Sequence, residues 1–224
     1  MNKINWKTYK FHCSGLHNLM TASRKKDEPL SETTKSYLRD LYLREVWGRE
    51  KSDMLGNKFT QKGIMCETDS IQLVENVTGN KYFKNLKTFK NNYLVGTPDI
   101  ISPVLIDIKT SWDLFTFSAV NEEKAKKDYY YQLLGYMFLT GQHASRLVYS
   151  LVNTPDDITN QELYKLSFNM PNGEHMKYKN NYIFDDIPES LKIKYYDFVY
   201  SQEEIEKLKL KIIDAREYLS HLTI

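Results

Sequence analysis

Apolar and polar positions recur along this chain with two different periods, and each change of period marks an element. After Ser31, the residues Tyr37, Leu38, Leu41, Tyr42, Leu43 and Val46 fall at helical spacing and Gly48 follows, which predicts a capped helix. A second helical pattern covers about 61–77 and stops at Gly79, with Ile64, Glu67, Ile71 and Val74 on one side. Glu67 therefore falls inside an apolar stripe, where a carboxylate needs a partner. Cation ligation, pairing with a core Arg and snorkelling from the stripe's edge all stay open for it.

Strands are expected near 82–89, 93–101 and 104–110, forming a meander that turns at Asn91-Asn92 and Ser102-Pro103. Residues 111–127 read as a mobile segment. A helix then spans about 128–139 and stops at Gly141. Further on, 147–152 and 163–168 read as strands and 188–200 as a helix. Ile205, Leu208, Ile212, Ala215, Leu219 and Leu222 alternate at spacings of three and four, so an amphipathic helix is expected over about 202–222. Three heptads are marginal alone, which favours docking on the chain's own core and leaves a homo-oligomer open. Together these elements predict an α/β fold with a central mixed β-sheet flanked by helices.

With 224 residues and 41% apolar content, the chain can bury one sizeable core, so one domain over 1–224 is expected. Thirty-one Lys and Arg against 29 Asp and Glu leave a net charge of +2, so any nucleic-acid surface must be a local patch. Two cysteines, Cys13 and Cys66, are too few for an all-Cys iron–sulfur or zinc site or a disulfide framework, which fits a reducing compartment. Neither a signal-peptide core nor a run of 18 apolar residues is present, so a soluble, intracellular protein without a membrane partner is expected. The five His show no ligand spacing.

The densest chemistry lies at Gly96-Thr97-Pro98-Asp99 and Asp107-Ile108-Lys109-Thr110. Strand alternation sends Ile106 and Ile108 to one face and Asp107 and Lys109 to the other, which is expected to lie open. A turn of three residues, Ser102, Pro103 and Val104, would set Asp99 directly opposite Asp107 with Cβ atoms roughly 5 Å apart. Carboxylates that close repel, and a divalent cation relieves the repulsion. Oxygen ligands with positions left for water suit Mg²⁺ or Mn²⁺. Lys109 beside them can steer a water or neutralise a scissile phosphate. A polar strand face is the alternative, since an Asp-x-Lys triplet alone is common.

Downstream, Gln132 and Tyr136 stand four apart within Tyr129-Tyr130-Tyr131-Gln132-Leu133-Leu134-Gly135-Tyr136, on one helical face. Taken with Glu67, Asp99 and the Asp107-to-Thr110 stretch, this order and spacing over about 60–153 closely resembles the PD-(D/E)XK nuclease superfamily. The RecB, Cas4 and lambda-exonuclease (YqaJ-like) branch is the nearest. The resemblance implies a restriction-endonuclease-like core and metal-dependent hydrolysis of DNA. An exonuclease on linear duplex is favoured, of the kind phages use for recombination with a single-strand annealing protein. An endonuclease or nickase, or a silent DNA-binding module, are the alternatives.

Carried over residue by residue, the resemblance implies that Glu67, Asp99, Asp107 and the Ile108 carbonyl hold Mg²⁺ or Mn²⁺. Lys109 would position the nucleophile, and Gln132 would contact that lysine or the substrate strand. Tyr136 and Thr110 would support the site, although packing is an equal reading for Tyr136. Asp107 stands where many relatives carry Glu, and the two Cys point away from the branches with iron–sulfur clusters. Ser14 and Arg24 fall where N-terminal residues of such exonucleases touch a terminal DNA phosphate, with an ordinary polar loop as the stronger alternative. Trp112 and Phe117 could stack on bases or fill core. The implied location is the cytoplasm of a bacterium or phage-infected host.

Overall fold

The computed structural model describes residues 4–51 and 56–223. It opens with short elements: a 3-10 turn at Trp6–Thr8, strand β1 (Phe11–His12), a second 3-10 turn at Cys13–Gly15 and helix α1 (Leu16–Leu19). Helix α2 (Glu32–Trp47) begins where Ser31 Oγ accepts from the Thr34 amide. It ends at Gly48, whose φ of 62° a side chain would resist.

The 61–77 pattern is two helices, α3 (Lys58–Met65) and α4 (Glu67–Thr78). The break falls at Cys66, a buried residue whose thiol donates to the Asn153 carbonyl. It interrupts the expected stripe: Ile64 is 71% exposed while Val74 is buried. Glu67 is thus the first residue of α4 rather than the middle of an apolar row.

Strands β2 (Phe89–Lys90), β3 (Leu94–Gly96) and β4 (Leu105–Thr110) follow, then helices α5 (Leu114–Ser118) and α6 (Glu122–Thr140). The segment expected to be mobile is therefore ordered by caps rather than by apolar periodicity. Asp113 and Thr116 form a reciprocal capping box on α5, and Asn121 caps α6 seven residues before the expected start of the helix near 128. Strand β5 (Ala144–Ser150), helix α7 (Asp156–Ser167), a 3-10 stretch (Pro171–Tyr182), a 3-10 turn (Glu189–Leu191), β6 (Ile193–Val199) and α8 (Gln202–His221) complete the order.

Two of the expected elements change type. The strand expected over 163–168 lies within α7, where Thr159, Glu162 and Leu163 share a buried face at helical spacing. The helix expected over 188–200 is mostly β6. Its β-prone residues pair antiparallel with β5 along seven positions, and Pro188 opens only a 3-10 turn.

The fold is α/β with helices flanking mixed sheets, but the single central sheet is two three-stranded sheets. In the first, β3 pairs parallel with β1 and antiparallel with β2. In the second, β5 pairs parallel with β4 and antiparallel with β6. The expected meander breaks after Gly96, because β3 and β4 belong to different sheets. What survives of the hairpin is one bridge, with Ile100 and Ile106 exchanging amide-to-carbonyl bonds of 3.1 Å each way.

Strand β4 separates two apolar clusters. Ile106 packs with Ile100, Val148 and Val74 of α4, and Ile108 lies against them. On the other face Leu105 joins the main core with Leu133 of α6 and Leu147 of β5. The stripe of α8, Ile205, Leu208, Ile212, Ala215 and Leu219, is buried in this same core. That stripe is consumed within its own chain. Among the described residues, no helix is long and apolar enough to cross a membrane.

Candidate active site

The Ile100–Ile106 bridge fixes the register so that Asp99 stands opposite Asp107. Asp99 Oδ2 accepts from the Ile108 amide at 2.8 Å, which ties its carboxylate to the strand beside Asp107. Burial and the charge of Asp107 push the Asp99 carboxyl up to about 7, against the pull of the Ile108 amide and Lys109.

Asp107 does not lie on an open face, because α6 covers that side of β4. Asp107 is 1% exposed, and its Oδ1 accepts from Gln132 Nε2 at 3.1 Å. The same amide donates to Tyr136 Oη at 3.1 Å. Gln132 thus contacts the aspartate, not Lys109. Asp107 Oδ2 lies 2.7 Å from Lys109 Nζ as an ion pair. Lys109, 26% exposed at its side chain, carries Nζ 5.0 Å from the centre of the Tyr129 ring. Burial opposes the ammonium charge, but Asp107 and Asp99 outweigh it and raise its pKa.

The helix places these groups by spacing. Tyr129, Gln132 and Tyr136 are three and seven residues apart, so one face of α6 meets Lys109 and Asp107. Close approach is enforced by glycine: a Cβ at Gly96 would fall 2.6 Å from Tyr136 Cε1 and 2.9 Å from Cys13 Sγ, and one at Gly135 2.9 Å from Cys13 Sγ. Cys13 is thereby a packing residue at the contact of β3 with α6.

A cleft of about 560 Å³ opens over this site, lined by Glu67, Asp99, Ile108, Lys109, Thr110 and Trp112 among others. Thr110 Oγ1 is 2.9 Å from Ser70 Oγ, which also accepts from Ser150, a hydroxyl chain that anchors β4 to α4 and β5. Glu67 reaches the cleft wall but pairs with Lys84. Trp112 stacks edge-on with Phe59 and lies under Lys58, whereas Phe117 belongs to the core. Exposed Ser14 lies on the Cys13–Gly15 turn, and Arg24 lines a separate hollow with Ser23, Lys25 and Ser31.

The donor set suits a hard divalent cation. Two facing carboxylates, one paired with Lys109 and the other raised by burial and by its neighbour's charge, form an oxygen-rich site whose repulsion a cation would relieve. Among the described residues, no group of three or more Asp, Glu, His or Cys is already gathered for a metal. Glu67, which lines the cleft and pairs with Lys84 through Oε2, would complete the set.

Three contributors were not singled out from the sequence. Lys84 is hidden because nothing in the pattern joins residue 84 to residue 67. Lys62 is fully buried, its ammonium pushed down to about 8 by burial, and it donates to the Trp112 carbonyl at 2.8 Å. Tyr129 had a signal in its three-residue spacing from Gln132.

No family model and no curated protein sequence matches the chain. Solved structures do. A phage-related exonuclease from Haemophilus somnus 129PT aligns with a TM-score of 0.76 and 26% identity, over 95% of this chain and 94% of that one. An alkaline exonuclease from Laribacter hongkongensis aligns with a TM-score of 0.63 and 14% identity, over 96% and 91%. The same exonuclease in complex with dAMP gives 0.62 and 15%, over 94% and 88%. The chain thus has the restriction-endonuclease-like fold, and its likeness to the phage-related exonuclease supports a nuclease.

Proposed function

We propose that the chain is a PD-(D/E)XK phosphodiesterase, a deoxyribonuclease dependent on Mg²⁺ or Mn²⁺. Its favoured form is an exonuclease on linear double-stranded DNA, formed by residues 1–224 as one nuclease domain. The observation that carries this reading is the Asp99–Asp107 opposition with Lys109 at its side in an open cleft. Support comes from the 26% identity to a phage-related exonuclease along nearly the whole chain.

In this reading Asp99, Asp107, Glu67 and the Ile108 carbonyl would hold the cation. When bound, the cation supplies charge to polarise the phosphoryl oxygen and acidify water. Lys109 orients the attacking water and offsets charge on the phosphate, and the Tyr129 ring keeps its ammonium in place. Gln132 fixes the Asp107 carboxylate, Tyr136 backs Gln132, and Thr110 anchors the strand end. Ser14 and Arg24 are assigned to a terminal phosphate. The setting is recombination in a bacterial or phage-infected cytoplasm, with a single-strand annealing protein as partner.

The test is incubation with linear and covalently closed circular plasmid in Mg²⁺, Mn²⁺ or EDTA. Degradation of the linear form alone, abolished by EDTA, is the expected result. Efficient nicking of closed circles would replace the exonuclease reading with an endonuclease on the same site. No hydrolysis of either form in either metal would overturn the nuclease reading.

A further inference from the structure

The segment between α4 and β2 reads Asn80-Lys81-Tyr82-Phe83-Lys84-Asn85-Leu86-Lys87-Thr88-Phe89-Lys90, with Lys at every third position and no acidic residue. Phe83 and Leu86 are 85% and 83% exposed, more than any other large apolar side chain described. Such exposure is costly unless something covers it.

This display is not the product of a slack loop. The Asn85 amide donates to the Asp99 carbonyl at 2.7 Å, and the Asn85 side chain donates to the carbonyls of Lys87 and Pro98 at 2.9 Å each. Its Oδ1 accepts from the Lys87 amide at 3.0 Å, and Thr88 Oγ1 lies 2.8 Å from Thr97 Oγ1. Lys84 bridges to Ile100 through the backbone. The arm is thus fastened along the segment that carries Asp99, while Phe83 and Leu86 stand free of it. Lys81 and Lys84 are neutralised by Glu75 and Glu67, but Lys87 and Lys90 have no carboxylate partner among the described residues.

We propose that residues 81–90 form a binding arm for unpaired DNA beside the cleft. Phe83 and Leu86 lie against base faces, and Lys87 and Lys90 meet phosphates. Base faces are accessible only in a single strand, and a rigid aromatic beside cations is the chemistry that holds one without sequence preference. The adjacency to Asp99 makes this the track of the strand at the site, so the inference rests on the nuclease reading for its role. It does not rest on it for binding.

The experiment measures affinity for a fluorescent oligo-dT by anisotropy in EDTA, where no cleavage occurs. Phe83→Ala combined with Leu86→Ala should weaken binding about tenfold or more. In Lys87→Gln combined with Lys90→Gln, the slope of log affinity against log salt should become shallower by about 1.4, as expected for two lost phosphate contacts. Circular dichroism and melting of both variants control for folding. Affinity within about twofold of wild type in the folded apolar variant, or an unchanged salt slope, would overturn the proposal and leave the patch to a protein partner. Failure of the nuclease reading would show separately, as wild-type protein that binds oligo-dT and hydrolyses nothing.

Discussion

Asp99 faces Asp107 across a single antiparallel bridge, and its carboxylate is held by the amide of the residue that follows Asp107. Burial and the facing negative charge make full ionisation unfavourable and push the Asp99 carboxyl up to about 7. A group with a raised folded-state pKa binds more protons folded than unfolded between about 3.8 and about 7, so stability falls as pH rises through that window. In EDTA, the melting temperature of the wild type relative to that of Asp99→Asn is expected to decline over this range. Mn²⁺ must displace the proton, so its affinity should rise with pH up to about 7. A metal affinity flat from pH 5 to 8 would remove the Asp99–Asp107 pair as the binding site.

The register that makes this pair was legible in the sequence because it follows from alternation and a three-residue turn about Pro103. The architecture around it was less legible. Nothing local tells that 93–101 divides between a strand of one sheet and a bridge to another, since strand partners are set by distant residues. Cap chemistry at Asn121 and Asp113 was present but outweighed by the absence of an apolar pattern. The break at Cys66 depends on the Asn153 carbonyl, 87 residues away, and it moved Glu67 from a stripe to a helix start. The expectation of an open Asp107 failed for the same kind of reason, because α6 roofs the strand.

Glu67 offers a second check, because its pairing with Lys84 draws on the same carboxylate that would ligate a cation. Glu67→Gln should weaken Mn²⁺ binding in calorimetry while DNA affinity in EDTA changes little. Lys84→Ala, which releases the carboxylate, should leave Mn²⁺ affinity equal or higher. Unchanged metal binding in Glu67→Gln would reduce Glu67 to the partner of Lys84 alone.

Gln132 holds Asp107 through a buried amide nitrogen that donates to both Asp107 Oδ1 and Tyr136 Oη. Gln132→Ala should cost about 1–3 kcal/mol, the usual penalty for a buried acceptor left without its donor. Chemical denaturation measures it directly. A change below about 0.5 kcal/mol, the range of ordinary surface substitutions, would mean that the bond contributes nothing.

The C-terminal helix has a structural duty that its heptads alone did not specify. Removing residues 202–224 strips five buried residues from the main core. Such a truncation should be insoluble or unfolded rather than merely altered in assembly. A folded, soluble truncation by circular dichroism would show that the core closes without α8 and would reopen oligomerisation as its purpose.

The most direct test of the account is the initial rate of hydrolysis of linear duplex DNA in Mn²⁺ by wild type, Asp107→Ala and Lys109→Ala, each shown to be folded. Both side chains act where charge develops on the phosphate, so each substitution should lower the rate by about a hundredfold or more. A near wild-type rate from either folded variant would contradict the assignment of this cleft as the catalytic centre.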